Sequence, residues 1–293
     1  MPYLIYRCRL AIMCLNPRVD FAFKLLFGSE ENKDLLMSLI NSVVSEEDQV
    51  SALQLKNPFN PKTYPTDKLS ILDIRAQDQK GRHFNIEVQI TDQLLYEKRA
   101  LYYWSQVYST QLQEGMGYRD LNKTIGIHVL NFNLMNEENY HNRYRVMNTQ
   151  SQKVAFEDLE FHTIELEKFN KEFPQIKTAL ERWMVVLTKA HVLSSGDLPE
   201  TLQTREVKKA MEVLERAHLS EPERQFYEGQ LRWLRDEEAA LEKKAFTSYE
   251  TGKAEGKAEE ARAIAKRLKE MKMTPSEMAA ALGIPEKDLA ALF

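Results

Sequence analysis

LSILDIRAQDQKGRHFNIEVQI, residues 69–90, decides the fold because its two alternating runs predict a β-hairpin around a polar turn. In each run the apolar residues share one face and the polar residues share the other. If the hairpin is centred on Lys80, Asp73 and Glu87 are each seven residues from the centre and lie directly opposite one another. Gln89 then lies one step further along the same face. The sequence therefore predicts a pair of facing carboxylates with an amide beside it.

Two carboxylates that face each other across a pair of strands repel, and the pair needs a reason to exist. A divalent cation between them turns the repulsion into attraction, since Mg²⁺ is held by one or two carboxylates together with phosphate oxygens. A second interpretation is a solvent-exposed hairpin face with ordinary surface charges, in which the register can differ by one or more residues. The residues alone leave both interpretations open.

The pattern Leu-Asp-Ile, hairpin, Ile-Glu-Val-Gln resembles the core of the PD-(D/E)XK nuclease superfamily. Within that superfamily the chain resembles the Rpn family of recombination-promoting nucleases, which are also described as transposases. The resemblance covers nearly the whole chain after residue 15, and it is carried also by residues 16–28, 98–112, 124–130 and the C-terminal Gly-Lys-Ala-Glu repeats. It implies an α/β fold with a PD-(D/E)XK-like restriction-endonuclease core, a mixed sheet flanked by helices, followed by an all-helical region.

The same resemblance implies a metal-dependent DNA endonuclease that hydrolyses phosphodiester bonds, with a role in recombination or in mobile elements. Asp73 and Glu87 match the metal-binding carboxylates, and the backbone carbonyl of Val88 would complete the site for Mg²⁺ or another divalent ion such as Mn²⁺. Gln89 stands where the superfamily pattern has lysine; it would orient the attacking water, but an amide carries no charge and cannot deprotonate. This departure supports an alternative, a catalytically inactive scaffold of the same fold that associates with DNA or with a partner protein.

Two flanking segments carry further candidate residues. Asp20 is either an accessory acid near the metal or a local capping or surface residue. Lys98 and Arg99, on a long helix predicted from Thr91 to about Gln113, are either contacts to DNA phosphate or solvated charges. The aromatic and apolar residues of this helix form two rows that are expected to be buried rather than to stack on bases: Ala100, Tyr103 and Val107 in one row, and Leu101, Trp104, Tyr108 and Leu112 in the other.

Changes in composition divide the chain into four parts. Residues 1–15 form an N-terminal extension, residues 16–170 the nuclease domain, residues 171–250 a helical region, and residues 251–293 a charged helix with a small helix-turn-helix-like end. The capping box Thr274-Pro-Ser-Glu277 opens that end. Its last helix carries Glu286, Lys287 and Asp288, a set that suits homo-oligomerisation or partner binding better than the reading of bases.

The overall charge gives no general affinity for nucleic acid, because 40 basic residues face 44 acidic ones and the net charge is −4. DNA binding therefore requires a local basic surface or a metal ion. The only two cysteines, Cys8 and Cys14, suggest neither a disulfide framework nor a zinc site. No apolar run reaches the length of a membrane span and no secretion signal is recognisable, so a cytoplasmic protein is expected. Walker A, Rossmann, zinc-protease and nucleophile-elbow motifs are also absent from the sequence.

Overall fold

The computed structural model describes residues 14–57, 73–90, 95–217 and 219–292. The chain divides into two compact units, the first ending at Leu234 and the second running from Arg235 to Phe293. Almost all of the predicted N-terminal extension and the proline-rich loop before the hairpin lie outside the described residues. The division of the chain at residues 170 and 250 stays a prediction.

A six-stranded mixed sheet forms the centre of the first unit, as predicted. Its strand order is β1-β2-β3-β4-β6-β5. The central pairs β3–β4 and β4–β6 are parallel, whereas β1–β2, β2–β3 and β5–β6 are antiparallel. The strands are β1 (Leu53–Leu55), β2 (Asp73–Asp78), β3 (His83–Gln89), β4 (Thr124–Leu130), β5 (His141–Met147) and β6 (Val154–Glu165).

The hairpin β2–β3 has the register expected from its sequence, with Asp73 paired to Glu87. Its turn is stabilised by Asp78, whose Oδ1 accepts hydrogen bonds of 2.9 Å from the backbone N–H groups of Lys80 and Arg82. Gly81 has φ +81°, a left-handed conformation that a β-carbon would strain. Local turn chemistry thus fixes the register that brings the two acidic positions together.

Helices cover both faces of the sheet, so the first unit has three layers. The described helices are α1 (Asp20–Phe27), α2 (Lys33–Val43), α3 (Tyr96–Ser109), α4 (Ala179–Lys189), α5 (Arg205–Arg216), α6 (Glu221–Glu270) and α7 (Pro275–Leu282). Helices α1, α2, α4 and α5 pack against one another on one face, over the inward-pointing apolar residues of the strands. Helices α4 and α5, which the sequence places in a separate region, therefore contribute to the main core, because their strongly amphipathic faces need a partner.

Asn16 and Pro17 in the sequence predict an N-cap and the first residue of a helix, but α1 begins three residues later, at Asp20. The Asn16 side-chain oxygen accepts a 3.1 Å hydrogen bond from the N–H of Arg18, and the Asn16 N–H donates to the Tyr227 hydroxyl at 2.8 Å. These bonds hold a turn before the helix, and Asp20 becomes the first helical residue. The prediction of a helix N-cap at Asn16 was therefore wrong, because Asn16 caps a turn instead.

Helix α3 covers the second face of the sheet, where Tyr96 and Ala100 pack against Leu130 and Phe132. The Trp104 indole donates a 2.9 Å hydrogen bond to the carbonyl of Thr124. Burial is as predicted for Ala100, Trp104 and Val107. The prediction was wrong for Leu101 and Tyr103, which are 51% and 37% exposed, because helices pack on only part of their circumference and the rows extend beyond the contact.

A network of buried charges joins the strands at the end of the sheet where β4 begins. Glu160 on β6 accepts two hydrogen bonds from Arg143, at 2.9 and 2.8 Å, and one from His162, at 2.8 Å. The Lys123 ammonium bridges Glu160 at 2.9 Å and Asp48 at 2.7 Å. Burial opposes the charged form of Glu160, but these donors outweigh it and hold its pKa well below the usual range.

The second unit consists of the end of α6, helix α7 and a 3₁₀ segment, Glu286–Leu292. The predicted capping box is present, since Thr274 accepts from the N–H of Glu277 and the Glu277 carboxylate accepts from the N–H of Thr274. Gly283 ends the helix with φ +66°. Across the described ranges, no helix has both the length and the apolar character that crossing a bilayer requires.

Candidate active site

Glu87 occupies a central position in the sheet and is only 2% exposed. Its paired neighbours are Asp73 on β2 and His128 on β4, so these three positions lie side by side across three strands. Residues that pair directly across strands share a face of the sheet. This row lies on the face that α3 covers, toward the carboxyl end of β3.

Arg99 from α3 brings a positive charge to this row. Its Nη2 donates to Glu87 Oε1 at 2.6 Å and also to Gln89 Oε1. The guanidinium lies 5.1 Å from the centre of the Tyr96 ring, which adds a cation–π contact. One cation is therefore held by oxygens of two predicted site residues, at a position where buried carboxylate charge needs compensation.

Tyr96 and His128 support Glu87 from the other side. The Tyr96 hydroxyl lies 2.8 Å from His128 Nδ1, and that nitrogen is 3.8 Å from Glu87 Oε2. Burial, together with the charge of Arg99, lowers the pKa of His128 to about 4. Burial and the nearby Glu87 charge raise the pKa of Tyr96. At neutral pH the phenol is thus protonated and the imidazole neutral, so both groups are uncharged.

Two further predicted residues, Val88 and Gln89, are next to Glu87 in β3 and differ in the direction of their contacts. Val88 turns its side chain into the core on the opposite face, as alternation along a strand requires. The Gln89 carbonyl accepts a 2.9 Å hydrogen bond from the N–H of Asn131, and Asn131 Oδ1 accepts from Arg18 Nη1 at 3.2 Å. These bonds place the segment before α1 at the carboxyl end of β3.

Asp20 follows that segment and pairs with Lys24 at 3.4 Å, with both side chains almost fully buried. The pair suits a local structural role, and an accessory role for Asp20 near a metal stays a prediction. Lys98 is exposed on the outer side of α3. It is free of the bonds that hold Arg99 against the acids, and contact with phosphate stays a prediction for it.

Two members of the site, Tyr96 and His128, were missed by reasoning from the sequence. His83 is the histidine nearest to the site along the hairpin, yet His128 is the one beside Glu87. The signal was a single imidazole in an otherwise apolar central strand, TIGIHVL at 124–130, where every residue is buried. A polar group there needs a partner inside the protein.

The donors present suit a hard divalent cation. Glu87 and Gln89 offer carboxylate and amide oxygens that already hold the cationic group of Arg99, and Asp73 is the next position across the hairpin. Among the side chains that the structure describes, no group of three or more His, Cys, Asp or Glu is arranged as a metal cage. The residues therefore fit a two-carboxylate site completed by backbone and substrate oxygens, not a closed structural site.

Comparison with known proteins gives one match. The family model described as PD-(D/E)XK nuclease family transposase matches residues 17–244, which is most of the chain and includes every residue of the site. No curated protein and no solved structure matches significantly.

Proposed function

This chain belongs to the PD-(D/E)XK nuclease family transposases, and from that premise we propose that it is a DNA endonuclease that hydrolyses phosphodiester bonds with Mg²⁺ or a similar divalent ion. Nucleases of this superfamily generally use divalent metals. The observation that carries the proposal is the facing pair Asp73 and Glu87 on β2 and β3, with Gln89 beside it and a guanidinium already bound there.

Asp73, Glu87 and the carbonyl of Val88 would hold the ion. When bound, the ion supplies Lewis-acid polarisation of the phosphoryl oxygen and a bound water of lowered pKa. Gln89 orients that water through its amide. Arg99 contacts Glu87 Oε1 and Gln89 Oε1, so it is near enough to the site to stabilise the negative charge that develops on the phosphoryl group.

Tyr96 and His128 act through Glu87. Both side chains are uncharged and buried, so they exclude water from one side of the Glu87 carboxylate and fix its orientation. Neither brings a positive charge that would compete with a bound ion for that carboxylate. Arg99 and a divalent ion compete for Glu87 Oε1, so metal binding should free the guanidinium to turn toward the phosphate. Arg99 thus has one role in the metal-free protein and another in the complex with substrate.

Nicking of supercoiled plasmid, with and without Mg²⁺, tests the proposal. We expect Asp73→Ala and Glu87→Ala each to abolish metal-dependent nicking while the fold survives. Glu97→Gln is the matched control, since Glu97 is an exposed acid on α3. Full activity in both alanine variants, after purification that removes host nucleases, would show that the site is elsewhere.

A catalytically inactive, DNA-associated scaffold is the second candidate, because Gln89 stands in the place of the superfamily lysine. Titration calorimetry with Mg²⁺ and Mn²⁺ separates the two candidates. A scaffold need not bind metal at Glu87, whereas a nuclease must lose metal binding in Glu87→Ala.

A further inference from the structure

Two neighbouring tyrosines on α3, Tyr102 and Tyr103, present their rings to solvent. They are 58% and 37% exposed, and their ring centres are 5.6 Å apart at an angle of 65°. The Gln106 amide donates a 2.8 Å hydrogen bond to the Tyr102 hydroxyl, which restrains that ring. Restrained aromatic rings on the surface suggest a contact partner, because burying them against one releases water from a large apolar area.

The pair lies within one helical turn of the site. Tyr102 and Tyr103 follow Arg99 by three and four residues, so both are its neighbours on the helix surface, about 5–6 Å away between β-carbons. Arg99 itself contacts Glu87 and Gln89. A chain that crosses the site can therefore reach the tyrosines with its next one or two units.

At Asn85, Glu87 and Gln89 the hairpin face that carries the acids is buried. Beside Asp73 and Glu87 comes the cross-strand pair Arg75 and Asn85. Asn85 is 1% exposed, and its Oδ1 has no hydrogen-bond partner among the residues that the structure describes. The exposed Lys98 on α3 supplies positive charge next to Arg99 in sequence, which complements a phosphate backbone.

Aromatic rings interleaved with cations favour single-stranded nucleic acid over a duplex. An unpaired base offers a free π-face to a ring, whereas the bases of a duplex are stacked on each other and present mainly phosphates to a protein surface. Tyr118 is 85% exposed but lies outside α3, in a short 3₁₀ turn, so it provides an internal comparison.

We propose that Tyr102 and Tyr103 form a stacking platform for unpaired bases beside the cleaved phosphodiester, so that the substrate of the site is single-stranded or locally unpaired DNA. The proposal rests on the nuclease function proposed above and adds its substrate class. A phosphate contact from Lys98 places the strand, and the rings select unpaired bases.

Binding without cleavage tests this. Fluorescence anisotropy of an end-labelled 20-nucleotide single strand, and of the same sequence as a duplex, is measured with the full chain in EDTA. We expect tighter binding of the single strand, a loss on the order of 10- to 100-fold in Tyr102→Ala/Tyr103→Ala, and little change for the duplex. Tyr103→Phe in the single variant should bind as the wild type does, because it keeps the ring. Tyr118→Ala should also bind normally.

Three results would overturn the platform. The first two come from anisotropy: the double alanine variant binds the single strand as tightly as the wild type does, or the wild type prefers the duplex. The third comes from light scattering: the mass of the wild type halves in the double variant, which would mark the tyrosines as a dimer contact. These outcomes are separate from failure of the nuclease itself. A protein that binds single strands through the tyrosines but never nicks DNA refutes the proposed chemistry and leaves the platform standing. A protein that nicks DNA, loses nicking in Glu87→Ala and ignores the tyrosine variants refutes the platform alone.

Discussion

The guanidinium of Arg99 contacts the side-chain oxygens of both Glu87 and Gln89. At the position where the superfamily pattern has lysine, this chain has an uncharged amide, yet a positive charge is present within hydrogen-bond distance of it. The charge is carried on a helix instead of on the strand. Gln89 is therefore a partner of Arg99 as well as a candidate ligand of water.

This arrangement changes the expected effect of restoring lysine. From the sequence alone, Gln89→Lys should retain or raise activity, since it adds charge near the phosphate. With Arg99 in place, the ammonium would face the guanidinium, so we expect Gln89→Lys to lower nicking at least about tenfold. Gln89→Lys/Arg99→Gln should recover most of the activity, with a coupling of about 0.5–3 kcal/mol in the double-mutant cycle.

The four nicking rates of that cycle are the measurement, and Lys153→Gln, at an exposed lysine outside the site, is the control for loss of one positive charge. The two substitutions act independently if the fold-loss in nicking rate of the double variant equals the product of the fold-losses of the single variants. In that case the charge of Arg99 does not replace that of the missing lysine.

At the scale of elements, close packing between α3 and the sheet depends on a glycine in β4. A β-carbon on Gly126 would lie 2.9 Å from His128 Nε2 and 2.9 Å from Phe161 Cδ1. Both neighbours are held in the layer beneath α3, where Phe161 also packs near Trp104 at 6.1 Å between ring centres. The strand can carry His128 toward Glu87 only because the position two residues before it has no side chain.

We expect Gly126→Ala to destabilise the protein by roughly 1–3 kcal/mol through overpacking. Gly229 on α6 has nothing within 4 Å of its virtual β-carbon, so Gly229→Ala should be neutral or stabilise by up to about 1 kcal/mol through helix propensity. Urea unfolding of both variants makes the comparison. Equal stability of the two variants would mean that His128 and Phe161 move aside without cost.

The hairpin, its register and the central strand β4 follow from the sequence because they depend on local alternation and turn chemistry. The roles of Arg99 and His128 do not, since they arise from contacts between elements distant along the chain. The exposure of Tyr103 and the delayed start of α1 at Asp20 have the same origin. Helical periodicity identifies a face but not how much of it the neighbouring sheet covers, and Asn16 caps a turn because Tyr227 takes its N–H.

At the scale of the whole molecule, buried titratable groups set the response to acid. Burial, with the nearby charges of His162 and Arg143, lowers the pKa of His141 to about 4, and His141 Nε2 lies 3.0 Å from His162 Nδ1. Above pH 6.5 the folded and unfolded states both carry neutral His141. Between pH 6.5 and 4 only the unfolded state takes up the proton, so the free energy of unfolding falls as the pH falls.

We therefore expect about 1–3 kcal/mol of stability to disappear between pH 6.5 and 4 in the wild type, and His141→Gln to flatten this part of the curve. Below about pH 4.5 the lowered pKa of Glu160 adds a second loss, because its carboxylate protonates first in the unfolded state. Urea unfolding at pH 7.5, 6, 5 and 4 measures the slope. Asn142→Ala, which changes no titratable group of β5, should leave the slope unchanged; an unchanged slope in His141→Gln would assign the acid loss to other groups.

Truncation tests the division between the two units. The first unit ends at Leu234, and Tyr227 and Leu234 of α6 are buried in its core. A chain ending at Glu250 keeps both residues, so we expect it to fold and to nick DNA with Mg²⁺, but to change its oligomeric state or its affinity for DNA through loss of multivalency. A chain ending at Ala217 loses both and should not fold.

Circular dichroism, light scattering and plasmid nicking on the same preparations decide this prediction. A folded chain ending at Glu250 that keeps its mass and DNA affinity but cannot nick would make the C-terminal segment part of the catalytic apparatus.

The order of strands in the sheet also sets an order in time. The β2–β3 hairpin closes over a short turn and Arg99 is only 12 residues from Glu87 along the chain, whereas the parallel strand β4 must first close a longer loop. Glu87 is therefore expected to meet Asp73 and Arg99 before it meets His128, so a divalent ion has the guanidinium to displace from an early stage of folding. We expect the ion concentration in the buffer to determine how much of a preparation is loaded, whether the ion is present during refolding or is added to the finished molecule.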